Sequence, residues 1–103
     1  MAWPRNTGGE PDIACFRKLR GVKLPYIRQG LIRFTCLNYA EQAPDVREKI
    51  DRLCAAAGGD YASALFDVMC TGSSIVAISM RHHVSESTLY RARVRFYAMW
   101  DER

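Results

Sequence analysis

The stretch from Ser74 to Trp100 reads SIVAISMRHHVSESTLYRARVRFYAMW, two helical patterns joined by a short connection at His83-Val84-Ser85. A helix-turn-helix needs a small residue midway along its first helix, an apolar plug in the turn and a cap that opens the second helix. It also needs apolar positions that pin the second helix to the core. Ser79 supplies the small residue, Val84 the plug and Ser85 the N-cap. Leu89, Ala92 and Phe96 follow at i, i+3 and i+7, so they share one inward face. The opposite face then carries Glu86, Ser87, Tyr90, Arg91, Val94 and Arg95. Those side chains would point into a major groove. Arginine is a two-pronged donor that matches guanine, which makes Arg91 the first candidate for base readout. His83 occupies the turn position most often given to glycine because its φ is positive, and histidine is among the residues enriched there. The same residues also fit a plain helical hairpin with Arg91, Arg93 and Arg95 as a solvated face.

Working towards the N-terminus, glycine, proline and capping residues cut the chain into further helical stripes. Asp60 is expected to cap a helix in which Tyr61, Leu65, Val68 and Met69 face inward, stopped by Thr71-Gly72. Ser73 or Ser74 then opens the first helix of the motif. Pro44-Asp45 starts a helix whose stripe is Val46, Ile50, Leu53 and Ala57, ending at Gly58-Gly59. Pro25 sits where a first helical turn tolerates it, opening a helix to about Tyr39 in which Ile27, Leu31 and Phe34 recur at helical spacing, with Gly30 as a weak point. Asp12 caps a short helix to about Arg20, closed by Gly21. Residues 1–11, with Pro4, Gly8, Gly9 and Pro11, lack periodicity and read as a mobile arm. No segment alternates as a strand does. The expectation is an all-α, compact bundle of five or six short helices, a single helical domain over 12–103 ending in a helix-turn-helix at 74–100.

Charge is distributed unevenly within a chain of 103 residues and formal net charge +4. Residues 13–40 hold six bases (Arg17, Lys18, Arg20, Lys23, Arg28, Arg33) and no acid. Residues 41–67 hold six acids against three bases, and 68–100 turn basic again with Arg81, Arg91, Arg93 and Arg95 against Glu86. Two basic lobes around an acidic middle suit a polyanion partner, with Lys18, Arg20 and Lys23 as backbone-phosphate contacts. The four cysteines, Cys15, Cys36, Cys54 and Cys70, form no close pair and read as free buried thiols rather than metal ligands; His82-His83 has no second ligand pair either. No apolar run approaches the roughly 20 residues of a bilayer span, and the N-terminus has no charged-then-apolar signal pattern, so a cytoplasmic location and no membrane contact are expected.

The C-terminal part resembles a known family. Gly72-Ser73-Ser74-Ile75 leads into one helix, His83-Val84-Ser85-Glu86-Ser87-Thr88-Leu89-Tyr90-Arg91 into the next, and Arg95-Phe96-Tyr97 closes it. These residues are similar to small phage-encoded transcriptional regulators of the RinA/ArpU type, whose C-terminal module is like the DNA-binding region of sigma factors. The resemblance covers about the last 60 residues, and its strongest element is shared by many helix-turn-helix families. It implies a phage or prophage regulator with double-stranded DNA as partner and RNA polymerase as a further one.

Catalysis is not expected. There is no GxSxG, no Walker-type loop and no HExxH, and the only two histidines sit in the proposed turn. No cofactor is expected. The alternative function is a small helical protein-interaction module, a phage inhibitor or adaptor, that binds an acidic protein surface. A lone helix-turn-helix reads only a short half-site, so a homodimer is expected, with Trp100, Tyr97 and the Ile27-Leu31-Phe34 face as candidate surfaces.

Overall fold

A computed structural model describes residues 19–101, and the expectations for the arm at 1–11, for Cys15 and for Lys18 lie outside them. Five α-helices make up most of this part: α1 (Tyr26–Leu37), α2 (Pro44–Gly58), α3 (Ala62–Cys70), α4 (Ile75–His82) and α5 (Glu86–Trp100). Tyr39–Glu41 and Gly59–Tyr61 form 3-10 turns, and no strand occurs among the described residues. The chain is all-helical here.

Local chemistry explains most helix ends. Pro44 occupies the first turn of α2, where its missing N–H costs nothing. Gly59 closes α2 with φ +52, a conformation that favours a residue without Cβ. Ser74 and Ser85 cap α4 and α5, accepting hydrogen bonds from the N–H groups of Ala77 at 3.1 Å and Thr88 at 3.2 Å. Asp60 does not cap α3. It lies inside the 3-10 turn, α3 begins at Ala62, and no side-chain cap bond forms there. The extra turn also carries Tyr61 outward, so this ring is exposed rather than inward-facing.

The buried layer is built around α2 and α5, which pack on one another and on α3. Ile50, Leu53 and Ala57 of α2 meet Leu65 and Met69 of α3, Ile78 of α4, and Leu89, Ala92, Phe96 and Tyr97 of α5 in one apolar cluster. Tyr97 and Trp100 are part of this core, which removes both as dimer surfaces. In α1 the apolar stripe is a poor guide to the buried face. Gln29, Gly30, Ile32 and Cys36 are buried, whereas Ile27 and Leu31 stay exposed. Residues 19 and 20 are not helical, so the helix expected to reach Arg20 does not extend there.

Arginines finish the ends of two helices. Arg33 donates to the carbonyls of Val68, Met69 and Thr71 at the end of α3, and Arg95 donates through Nε and Nη2 to the carbonyl of Ala57 at the end of α2. These carbonyls have no partner within their own helix, so the guanidinium groups satisfy them. Asp67 on α3 accepts from Arg81 at 3.2 Å and pairs with His82 at 2.7 Å, which ties α4 to α3. The thiols of Cys36 and Cys54 are buried and that of Cys70 half-buried, all free. Burial pushes the Cys54 thiol up to about 12, so it is held protonated and unreactive at neutral pH.

Candidate nucleic-acid interface

The connection between α4 and α5 is set by one residue in the left-handed region. His83 has φ 57 and ψ 43, and it is the only described residue other than glycine with positive φ. The N–H of Val84 then reaches back to the carbonyl of Ser79 at 3.1 Å, a six-to-one bond of the Schellman type. The Ser79 hydroxyl completes a ring by donating to the Val84 carbonyl at 2.6 Å. Val84 is buried, so the turn is plugged from inside. Ser85 follows as the cap of α5, and its hydroxyl also lies 2.8 Å from that of Thr88. The two helices are thus joined by three residues whose geometry is fixed at each step.

This turn yields a direct test of backbone strain. A residue with Cβ in the left-handed region costs on the order of 1 kcal/mol, while glycine there adds back some freedom to the unfolded chain. His83→Gly is therefore expected to leave stability unchanged or raise it by up to about 1 kcal/mol. Thermal melting measures this, and a clear loss of stability would mean that the imidazole holds the turn.

Leu89, Ala92 and Phe96 are fully buried, which fixes the rotation of α5. Residues 87, 91, 94 and 98 recur at intervals of four, three and four and so run along the outward face. Glu86, Ser87, Tyr90 and Arg91 are exposed on the first turns of this helix. Arg91 forms only a long contact, 3.5 Å, with the Thr88 hydroxyl. Arg95 differs from the expectation of a groove-facing side chain. Its guanidinium is committed to the Ala57 carbonyl, so it anchors α5 to α2.

The second basic lobe arrives on the same face by a route that the sequence does not show. Gln29, buried in α1, accepts from the Leu19 N–H at 2.8 Å and donates to the Leu24 carbonyl at 2.8 Å, with a longer contact to Val22 at 3.4 Å. It holds residues 19–24 in place. Gly21, with φ +85, lets this segment pass close to α5, where a Cβ at Gly21 would stand 3.5 Å from Val94. Gly21, Val22, Lys23 and Leu24 share one cleft with Val94 and Ala98, and Arg20 shares another with Tyr90, Arg93 and Val94. Arg20 and Lys23 therefore flank α5. Gln29 is the positioning residue that sequence reading misses; its only signal is a lone amide between the apolar positions of α1.

Charge pairing sharpens this picture. Arg28, Arg52 and Arg81 pair with Asp101, Glu48 and Asp67. Arg33, Arg47 and Arg95 donate to backbone carbonyls, and Lys49 lies over the Trp100 ring. Among the described residues, the cations with neither an acidic nor a carbonyl partner are Lys49 and the group Arg20, Lys23, Arg91 and Arg93, and the latter four border the outward side of α5. No group of three or more histidine, cysteine, aspartate or glutamate side chains suited to a metal ion occurs among the described residues. No helix among them is long and apolar enough to cross a membrane. Compared with known proteins, the chain matches no family model, no curated sequence and no solved structure.

Proposed function

We propose that residues 74–100 act as a helix-turn-helix and that the protein is a sequence-specific, duplex-DNA-binding transcriptional regulator. The observation that carries this reading is the gathering of Arg20, Lys23, Arg91 and Arg93 around one exposed helix face while the other described arginines are consumed by acids and carbonyls. Unneutralised cations on a helix narrow enough for the major groove favour a polyanionic duplex. The capped, plugged turn supports it by presenting the first turns of α5 rigidly. In this reading Arg91 reads a base edge, while Ser85, Ser87 and Tyr90 make polar contacts to phosphate or base and Arg20 and Lys23 neutralise backbone phosphates. The likeness of residues 72–97 to phage regulators of the RinA/ArpU type supports the regulatory role, with RNA polymerase as a further partner. A homodimer would use the exposed Ile27 and Leu31 of α1.

A second reading, a helical module that binds a protein partner, is favoured by the exposed Val76 and Met80 on α4. Arg91→Ala separates the two. Because Arg91 is exposed and makes no packing contact that the fold needs, its loss should leave the helical circular dichroism and the melting temperature unchanged. It should cost roughly 1–3 kcal/mol of preference for a selected site over a random duplex, about 5- to 150-fold. Equal preference in both proteins, measured by competition binding, would remove α5 as the reading helix.

A further inference from the structure

The cleft between residue 20 and α5 has a composition that asks for an anion. It is lined by Arg20, Tyr90, Arg93 and Val94, with a volume of about 360 Å3, and none of these residues is acidic. Arg93 forms one wall, its guanidinium carbon 5.2 Å from the centre of the Tyr90 ring. Its Nε is shut off from solvent and has no hydrogen-bond partner. Burial pulls the Arg93 pKa down, and no carboxylate acts on it; its neighbours are Tyr97, Tyr90 and the like-charged Arg33. Tyr97 cannot supply a counter-charge near neutral pH, because burial pushes its phenol up to about 12. A guanidinium without a counter-ion in a partly dry site is costly to hold, and a bound anion removes that cost.

We infer that this cleft is an oxyanion-binding site in which Arg20 and Arg93 grip one phosphate group from two sides against the Tyr90 ring. Guanidinium groups suit this ligand because their N–H donors are planar and match the oxygens of a phosphate in pairs. Tyr90 adjoins Arg91 in sequence, so a phosphodiester held here would lie beside the base edge that Arg91 reads. The choice of phosphodiester as the source rests on the DNA-binding reading, whereas an inorganic phosphate ion would offer the same chemistry without it.

The test follows the side-chain Nε–Hε signals of the arginines, and the backbone amides of residues 20–24 and 90–94, by nuclear magnetic resonance in the full chain. Inorganic phosphate is titrated against chloride at matched ionic strength. The expected result is a saturating shift confined to these signals, seen with phosphate and not with chloride. Its affinity should fall about tenfold or more in Arg20→Gln and in Arg93→Lys. Arg20 is exposed, so its variant tests the site even if the half-buried Arg93 tolerates no change. A linear response, the same response to chloride, or unchanged affinity in Arg20→Gln would overturn the site.

A second arm measures duplex DNA binding against salt. Loss of one phosphate contact in Arg20→Gln should reduce the slope of log affinity on log salt by about one. Duplex binding with the wild-type slope in both variants would refute the phosphate grip while leaving DNA binding by α5 standing. Saturable phosphate binding in a protein that does not bind duplex DNA would retain the site for a free oxyanion and refute the DNA-binding reading.

Discussion

Phe96→Ala is expected to lower the melting temperature by roughly 15–30 °C and to abolish any function that depends on the position of α5. Phe96 is fully buried. Its ring lies 6.3 Å from that of Tyr97 and 5.9 Å from that of Trp100, and the Lys49 ammonium sits 4.3 Å above Trp100, so a connected aromatic group secures the end of α5 against α2. Truncating a buried phenylalanine removes its transfer free energy and leaves a cavity, together about 3–5 kcal/mol. In a domain of this size each kcal/mol shifts melting by about 4–8 °C. A total stability of about 5–15 kcal/mol leaves little margin after such a loss. Ser63→Ala, on the exposed side of α3, provides the contrast, because surface changes stay within about 0.5 kcal/mol. Calorimetry or thermal circular dichroism on both variants measures this. A shift below about 5 °C for Phe96→Ala would mean that α5 is not seated as described.

What could be read from the sequence was what depends on neighbours along the chain. Ser74 and Ser85 cap the helices expected of them because a hydroxyl accepts from an N–H three residues on, and this needs no knowledge of the rest of the fold. The positive φ of His83 and the burial of Val84 follow from the same short-range geometry. Likewise, the stripe Ile50, Leu53 and Ala57 is strongly periodic and is buried. The misread features depend on contacts across the fold. Ile27 and Leu31 have helical spacing, but the polar Gln29 takes the inward position because three backbone groups of residues 19–24 need its amide. Arg95 looks as available as Arg91 on a helical wheel. The carbonyl that captures it belongs to Ala57, 38 residues earlier. Trp100, placed near the chain end, reads as surface until α2 is seen to cover it. The approach of Arg20 and Lys23 to α5 was illegible for the same reason, although their charge had marked them as phosphate contacts.

The electrostatic consequence follows from Arg20, Lys23 and Arg93, which have no acid or carbonyl partner and face the same side of α5. Each phosphate neutralised on duplex DNA releases condensed counterions, giving a slope of about −0.9 per contact in log affinity against log salt. One phosphate held by Arg20 with Arg93 and one held by Lys23 would give a slope near −1.8, so raising salt from about 50 to about 200 mM should weaken binding by on the order of 10-fold per protomer. A dimer contacting both halves of a site would lose more. Within the acidic stretch from Glu41 to Asp67, Asp67 is paired with Arg81 and His82 and Glu48 with Arg52.

Fluorescence anisotropy of a labelled duplex, titrated with the full chain at several salt concentrations, tests whether α5 and the segment before α1 form one DNA-binding surface. Saturable binding at about 50 mM salt should weaken by roughly 10-fold per protomer at about 200 mM, with a shallower slope when Arg20 and Lys23 are both replaced by glutamine. No binding at low salt, or an affinity that stays flat across this range, would contradict that surface and leave α4 and α5 as a helical hairpin whose partner is a protein.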